Sequence, residues 1–264
     1  MTNLYEIIRI IERLIGIQNT SETAMKLGPT YPEEQKKKKV KKCILALYPN
    51  TEVISTAVRD KFDLIICYTT PGIWANFNQI TDELYPKIKI LLENRINLYK
   101  IQEEYAESGL IDLIAEVFNL EVIDLLQIKN AMNQDKTAGC VCKITTPSNN
   151  LLNFLTMIKE KLDISPIRFL GDLNSSIQKV GIIIGHPLNL QLLKMAKKAD
   201  IDTIVCNHFT YNSEKTAEEL DINLIEVTSY VISLGLLKLT QILRMEEPTV
   251  EFAFINLKPS FKTF

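Results

Sequence analysis

Long apolar runs are missing from this sequence. No stretch approaches the roughly 18 uncharged apolar residues that a membrane-spanning helix requires, so no transmembrane segment is expected. Histidine is scarce: His186 and His208 are the only two, and imidazole is the commonest ligand of transition metals. Net charge is scarce as well. A formal charge of -2 with a pI near 5.9 supplies no global field to draw in nucleic acid or an anionic membrane, so either would have to be bound by a local patch. The candidate patch is the run Lys36 to Lys42, the one low-complexity tract, and no short-period repeat is visible.

Cysteine is present in an odd number, five, with no secretory pattern ahead of it. The first residues read as an amphipathic helix carrying Glu6, Arg9, Glu12 and Arg13, too charged for the apolar core of a signal peptide. A reduced, cytoplasmic protein is the expectation.

What is present is ordinary globular material, 46% hydrophobic and 23% charged, which excludes wholesale disorder. Leu4, Ile7, Ile8, Ile11, Leu14 and Ile15 recur at the three-four spacing of one helical face. Asn19 to Lys42 is polar and reads as a long loop running into a buried strand, Cys43 to Tyr48. Strand-length apolar runs follow at 64–68, 96–101, 140–144, 180–184, 201–206, 222–227 and 250–257. Helical patterns lie between most of them, at 52–59, 84–93, 110–118, 151–161, 190–196, 214–220 and 232–244. Such alternation predicts an α/β fold: two α/β lobes with mixed, mostly parallel sheets covered by helices. The polar cluster Asn130 to Lys136 suggests a boundary, giving lobes 1–130 and 131–264 with room to interlink. The last strand is expected as an antiparallel edge.

Four stretches, in order across nearly the whole chain, carry a family resemblance. The first runs from Val40 to Pro49 and on through Glu52, Val53, Ile54 and Ala57; the second runs from Asp63 to Pro71 with Ile73, Trp74, Ile80 and Thr81. The third is Ile96-Asn97-Leu98-Tyr99 through Gln102, Tyr105 and Ala106; the fourth is Ile222 to Ser229 through Gly235, Leu236 and Leu237, with Ala199-Asp200 opening an earlier strand. Together they resemble the GTP cyclohydrolase I type 2 homologue family, also called the Nif-three-like family. Against that family's pattern Tyr48 stands for a strand-ending aspartate and Thr69 for a metal-binding histidine. Tyr68 matches a tyrosine that some members carry, while Gln102 and Ala106 take a histidine and a ligand aspartate. Ser229 and Ser233 take the two positions of a His-x-x-x-Glu pair, and Gly185 opens a usually glycine-rich loop that here continues His186-Pro187-Leu188.

The resemblance implies a toroidal hexamer whose subunits hold two divalent metal ions in a cleft between the lobes. Two metals about 3.5–4 Å apart need several imidazole and carboxylate ligands to offset their charge and make hydroxide near neutral pH. Thr69, Ala106, Ser229 and Ser233 supply neither. No cofactor is therefore expected and no catalytic residue is assigned. The expectation is a non-catalytic binding or scaffold subunit of a hexameric ring, with Tyr48, Tyr68, Gln102, Glu103, Tyr105 and His186 as further cleft candidates. A metal-dependent hydrolase on a nucleotide-type substrate, working through a rearranged site with His186, His208, Glu103 or Glu226, is one alternative. A partner-protein or nucleic-acid binder using the lysine-rich loop is another, although Glu33 and Glu34 precede that run and no aromatic residue interleaves it.

Other motifs have plainer readings. Cys140 and Cys142 fall on one face of a strand, but zinc would want a second pair, and Cys43, Cys67 and Cys206 are scattered. Buried apolar thiols are the simpler account. Tyr68, Tyr99, Tyr105, Tyr211 and Tyr230 would either stack a nucleobase or close off a cleft that has lost its metal. Ser229 near Glu226 has no histidine placed beside it by sequence, so nucleophilic catalysis is not expected.

Overall fold

Asn3 starts the first helix by capping it twice over. Its Oδ1 accepts from the Glu6 backbone N–H and the Glu6 carboxylate accepts from the Asn3 N–H, both at 3.0 Å. Helix α1 (Leu4–Leu14) then buries Leu4, Ile7, Ile8 and Ile11 on the face the spacing predicted. The fold is taken from a computed structural model that describes residues 2–16, 24–70, 81–101, 103–129, 135–145 and 150–259, with the side chains of all but 103–108, 129, 135 and 136.

The chain divides into two compact units, Met1–Ala106 with Leu236–Lys258, and Glu107–Gly235 with Pro259–Phe264. In chain order the first unit contains α1, β1 (Met25–Leu27), α2 (Pro32–Lys37), β2 (Lys42–Ala46), α3 (Thr51–Arg59), β3 (Leu64–Cys67), α4 (Tyr85–Glu93) and β4 (Asn97–Lys100). Helix α5 (Glu103–Val117) begins there and continues into the second unit. That unit adds β5 (Leu120–Lys129), β6 (Asp135–Ile144), α6 (Leu151–Leu162), β7 (Arg168–Leu170), β8 (Lys179–Ile183), α7 (Leu190–Lys198), β9 (Thr203–Cys206), α8 (Tyr211–Glu219) and β10 (Asn223–Glu226). Helix α9 (Ile232–Glu246) leads back to the first unit and to β11 (Glu251–Ile255).

The strand orders are β1-β4-β3-β2-β11 and β5-β6-β8-β9-β10-β7. In the first sheet only β1 is antiparallel to its neighbour. In the second, β8, β9 and β10 are parallel while β5, β6 and β7 pair antiparallel. This is the mixed, helix-covered α/β fold expected.

The two units are built on one plan. In each, a strand–helix–strand–helix–strand run forms three parallel strands, and a short antiparallel strand closes the edge beside the third: β1 beside β4, β7 beside β10. Their cores match position by position: Val53 with Leu192, Ile54 with Leu193, Ala57 with Ala196, Ile65 with Ile204, Cys67 with Cys206 and Leu98 with Leu224. The helix-to-strand turns match too, with left-handed Lys61 and Asp200 (φ 58° and 56°) before one strand and Arg95 and Asp221 (φ 56° and 51°) before the next. Gly28 and Gly171 hold φ of 129° and 134°, where a Cβ would collide with the side-chain amides of Asn97 and Asn223 respectively. One carboxylate registers each set. Asp63 Oδ2 accepts from the N–H groups of Lys41 and Lys42 at 2.7 and 3.1 Å, and Asp202 Oδ2 accepts from those of Gln178 and Lys179 at 2.7 and 3.0 Å.

Several expectations need correcting. The segment near residue 130 connects β5 to β6, which pair with each other, so the units divide instead inside α5 and α9. The C-terminal strand β11 is an edge strand but runs parallel to β2, because α9 crosses over before it. The polar loop at 19–42 contains β1 and α2, since Pro32 and the acidic Glu33 and Glu34 suit a helix start and Lys36 and Lys37 its end. Lys36 and Lys37 pair with Glu33 and Glu34 at 3.0 and 2.7 Å, and Lys42 pairs with Glu251 at 2.8 Å. Among the described residues no helix is long and apolar enough to cross a membrane.

The aspartate clamps generate the first prediction. Asp63→Ala and Asp202→Ala each leave two strand-start N–H groups without their anionic acceptor. Each should cost about 2 kcal/mol by urea unfolding, within the usual range for hydrogen bonds to a charged group. Asparagine at either position should recover about half, since it keeps an acceptor oxygen but not the charge.

Candidate functional site

Parallel strands end together, and the carboxyl edge of such a sheet is where open α/β folds hold ligands. In the second unit that edge follows β8, β9 and β10. The residues leaving β8 are Ile184, Gly185 and His186; those leaving β9 are Asn207 and His208; β10 ends on Glu226 and continues to Thr228 and Ser229. Asn207 ties all three strand ends together. Its Oδ1 accepts from the Gly185 N–H at 3.1 Å and its amide donates to Ser229 Oγ at 2.8 Å.

Glu226 is shared by two partners at this edge. Its Oε2 accepts from Arg168, across the register on β7, at 3.1 Å, while its Oε1 lies 3.2 Å from His208 Nδ1. Arg168 also donates to Glu214 at 3.2 Å and lies over the Phe209 ring at 4.1 Å. The Glu226 side chain is 16% exposed and that of His208 66%, so the carboxylate sits at the floor and the imidazole at the rim. Beneath them, burial and then the Glu226 charge push the Cys206 thiol up to about 12.

The two serines at the resemblance's ligand positions are held rather than open. Thr228 adopts φ 56° and ψ 173°, a region costly for a β-branched residue, and its Oγ1 accepts from the Tyr230 N–H to start the 3-10 turn Ser229–Val231. Ser229 is then occupied by Asn207. Ser233 is buried at 3% exposure and its hydroxyl has no hydrogen-bond partner among the described residues. Gly235, two residues on, lets α9 close on α5, since a Cβ there would stand 3.2 Å from the Leu110 carbonyl oxygen.

The first unit has a corresponding edge. Tyr48 follows β2, and Tyr68 and Thr69 follow β3; the Thr69 N–H donates to the Leu47 carbonyl at 3.1 Å and Tyr68 is buried at 8%. Cys67, the counterpart of Cys206, has its thiol raised to about 12 by burial, opposed by the positive charges of Lys100 and Lys26. Lys100 is the neighbour of Cys67 in register, as Glu226 is of Cys206. Gln102, Ile73 and Trp74 lie outside the described residues, and Glu103, Tyr105 and Ala106 are described by their helical backbone alone.

Three of the tyrosines suggested for stacking are buried. Tyr99 is fully buried, its phenol pushed well up by burial and by the nearby Glu12 charge, and Tyr230 and Tyr68 are buried at 6% and 8%. Tyr211, by contrast, is exposed at 70%. Cys140 and Cys142 do share a face, with sulfurs 3.4 Å apart, and both are buried. Their mutual hydrogen bond and then burial hold the Cys140 thiol far above its ordinary value, away from the thiolate a metal needs. Among the described residues no three His, Cys, Asp or Glu side chains gather as metal ligands would. Sequence reasoning missed Arg168, Asn207, Lys26 and Lys100. A signal was available in the repeated Ile96-Asn97-Leu98 and Ile222-Asn223-Leu224, which place Lys100 and Glu226 at the same point of two like strands.

The family profile described as Duf34/NIF3 (NGG1p interacting factor 3) matches residues 2–260. The chain is 27% identical over 228 residues to a GTP cyclohydrolase 1 type 2 homolog of Clostridium perfringens, covering 85% of this chain and 84% of that protein. It is 28% identical over 196 residues to one of Methanocaldococcus jannaschii, covering 73% and 75%. Among solved structures, a Bacillus cereus protein related to NIF3 superposes with a TM-score of 0.78 at 16% identity, over 100% of this chain and 99% of that one. Staphylococcus aureus protein SA1388 gives 0.76 at 17%, over 100% and 99%.

Arg168→Met should cost about 1–2 kcal/mol, more than the few tenths of an ordinary exposed pair, because one guanidinium serves two carboxylates and an aromatic ring. Lysine at 168 should recover less than half, as an ammonium cannot fork and stack at once. Urea unfolding of the three proteins decides it.

Proposed function

The chain belongs to the Duf34/NIF3 family, and on that premise we propose that it is a member with a degenerate dinuclear metal site, serving as a non-catalytic binding or scaffold subunit of a homohexameric ring. The observation that carries this reading is the donor chemistry. The positions that the resemblance assigns to metal ligands hold Thr69, Ala106, Ser229 and Ser233, which offer neither an anionic oxygen nor an imidazole. Ser229 already accepts from Asn207, and Ser233 is buried with a hydroxyl that has no hydrogen-bond partner among the described residues, rather than a charge. These residues do not fit two divalent ions, whose shells need several anionic or imidazole ligands. Without them no metal-bound water is brought to a pKa near neutrality and hydrolysis by that route is closed.

A second reading, a metal-dependent hydrolase acting on a nucleotide-type substrate through a rearranged site, is favoured by the 3.2 Å approach of His208 to Glu226. Arg168 weighs against it, since it occupies the other Glu226 oxygen and a cation would have to displace a guanidinium. Binding of a protein or nucleic acid through Lys36 to Lys42 is weakened by the pairing of Lys36, Lys37 and Lys42 with carboxylates.

Purified protein dialysed against a mild chelator should contain well under one transition metal ion per subunit, and Mn, Zn, Fe or Ni should not raise its melting temperature. Two ions per subunit by elemental analysis would overturn the reading of the site. Assembly is separable from the site, because subunit interfaces are surfaces of their own. Light scattering should find a hexamer at micromolar concentration; a clean monomer would remove the ring.

A further inference from the structure

Helix α1 carries an acid among the isoleucines that seat it. Leu4, Ile7, Ile8, Ile11 and Ile15 are buried, and Glu12 is buried with them, its side chain 3% exposed. Glutamate is seldom buried unless it is paired, and here the pairing is half complete. Arg9, one turn earlier and 53% exposed, donates to Oε2 at 3.2 Å, while Oε1 is buried with no hydrogen-bond partner among the described residues. Glu12 also sits in the last turn of the helix, where the negative end of the macrodipole opposes a carboxylate.

The elements packed on α1 do not supply the missing hydrogen. Tyr99 on β4 is fully buried and close enough to feel the Glu12 charge, yet its phenol oxygen has no partner among the described residues either. Gln35 on α2, which packs on α1, is fully buried; its amide nitrogen donates to the Pro29 and Thr30 carbonyls at 3.0 and 3.2 Å, and its Oε1 has no donor among the described residues. The charges nearby are engaged elsewhere: Lys36 pairs with Glu33 and lies over Tyr5, Lys37 pairs with Glu34, and Glu246 at the end of α9 pairs with Arg13. A buried charge left partly unpaired is costly, and its usual relief is to become neutral. A protonated carboxyl drops the charge and gains a hydrogen to donate. In keeping with this, burial holds the Glu12 carboxyl above its ordinary value, against the opposing charge and hydrogen bond of Arg9.

We propose that α1 is a pH-sensitive latch, seated tightly while Glu12 is a neutral acid and loosened when that carboxyl ionises. The folded state binds this proton more tightly than the unfolded chain does. The stability contributed by Glu12 is therefore fully present below the unfolded carboxylate value and is lost as pH rises through the higher folded value. The start of the helix is held independently by the Asn3–Glu6 capping box, so what loosens is the seating of α1 and not its first turn.

Two measurements on the unmodified protein test the latch: the titration of the Glu12 carboxyl by carbon NMR, and amide hydrogen exchange along α1, corrected for the intrinsic pH dependence of exchange. The carboxyl should titrate above the ordinary carboxylate range, and protection of the Ile7 to Ile11 amides should fall several-fold across the same midpoint. Glu12→Gln has the same shape and no charge, so its α1 should stay protected throughout. Its melting temperature should match that of the unmodified protein near about pH 4 and exceed it by a growing margin as pH rises. Arg9→Met removes the cation that favours the ionised form and should move the titration and the loss of protection to higher pH together. A Glu12 midpoint in the ordinary range, as an internal water at Oε1 would produce, overturns the proposal on the unmodified protein, whether or not a variant folds. Protection that ignores the Glu12 midpoint, or a Glu12→Gln variant whose margin does not grow with pH, would overturn it as well.

Discussion

One carboxylate per unit sets the register on which everything at the other end depends. Asp63 and Asp202 each stand just before the middle parallel strand and accept from two consecutive N–H groups where the neighbouring strand begins. A strand start has N–H groups with no partner in its own element, and a charged acceptor satisfies two of them at once. With the starting edge pinned, strands of similar length end level at the opposite edge. That is why Tyr68 and Thr69 follow β3 where Asn207 and His208 follow β9, and why Lys100 and Glu226 close their strands at the same height.

The two carboxyl edges share a framework and differ in electrostatics. The second is closed on itself: Glu226 is shared by Arg168 and His208, Arg168 is spread over Phe209, and Asn207 ties Gly185 to Ser229. Each of those contacts is one that an incoming ligand would have to replace. The first carries two positive side chains and a buried thiol that stays protonated.

Strain sits at the same edges. Thr228 is forced to φ 56° directly before Ser229, and the cost, about 1–3 kcal/mol for such a residue, is offset by its hydroxyl accepting from the Tyr230 N–H. Ser233 adds a buried hydroxyl without a partner among the described residues.

Burial was legible in the sequence because it is periodic and local. Leu4, Ile7, Ile8 and Ile11 declared a helix face, and eight apolar runs declared eight of the strands; the α/β class followed from their alternation. The residue types at Thr69, Ala106, Ser229 and Ser233 were legible too, since a sequence tells a serine from a histidine directly. Pairing was not legible, because a strand's alternation says which face is buried and nothing about which strand lies beside it. The polar segment 130–136 read as a boundary although the strands on either side of it, β5 and β6, pair with each other, and β11 read as antiparallel until α9 carried it round to β2. Short β1 and β7 carry too few residues to show a period, yet they supply Lys26 and Arg168. Charge at a site is a property of neighbours distant in sequence, so only the tertiary structure could set Arg168 against Glu226 and Lys26 near Lys100.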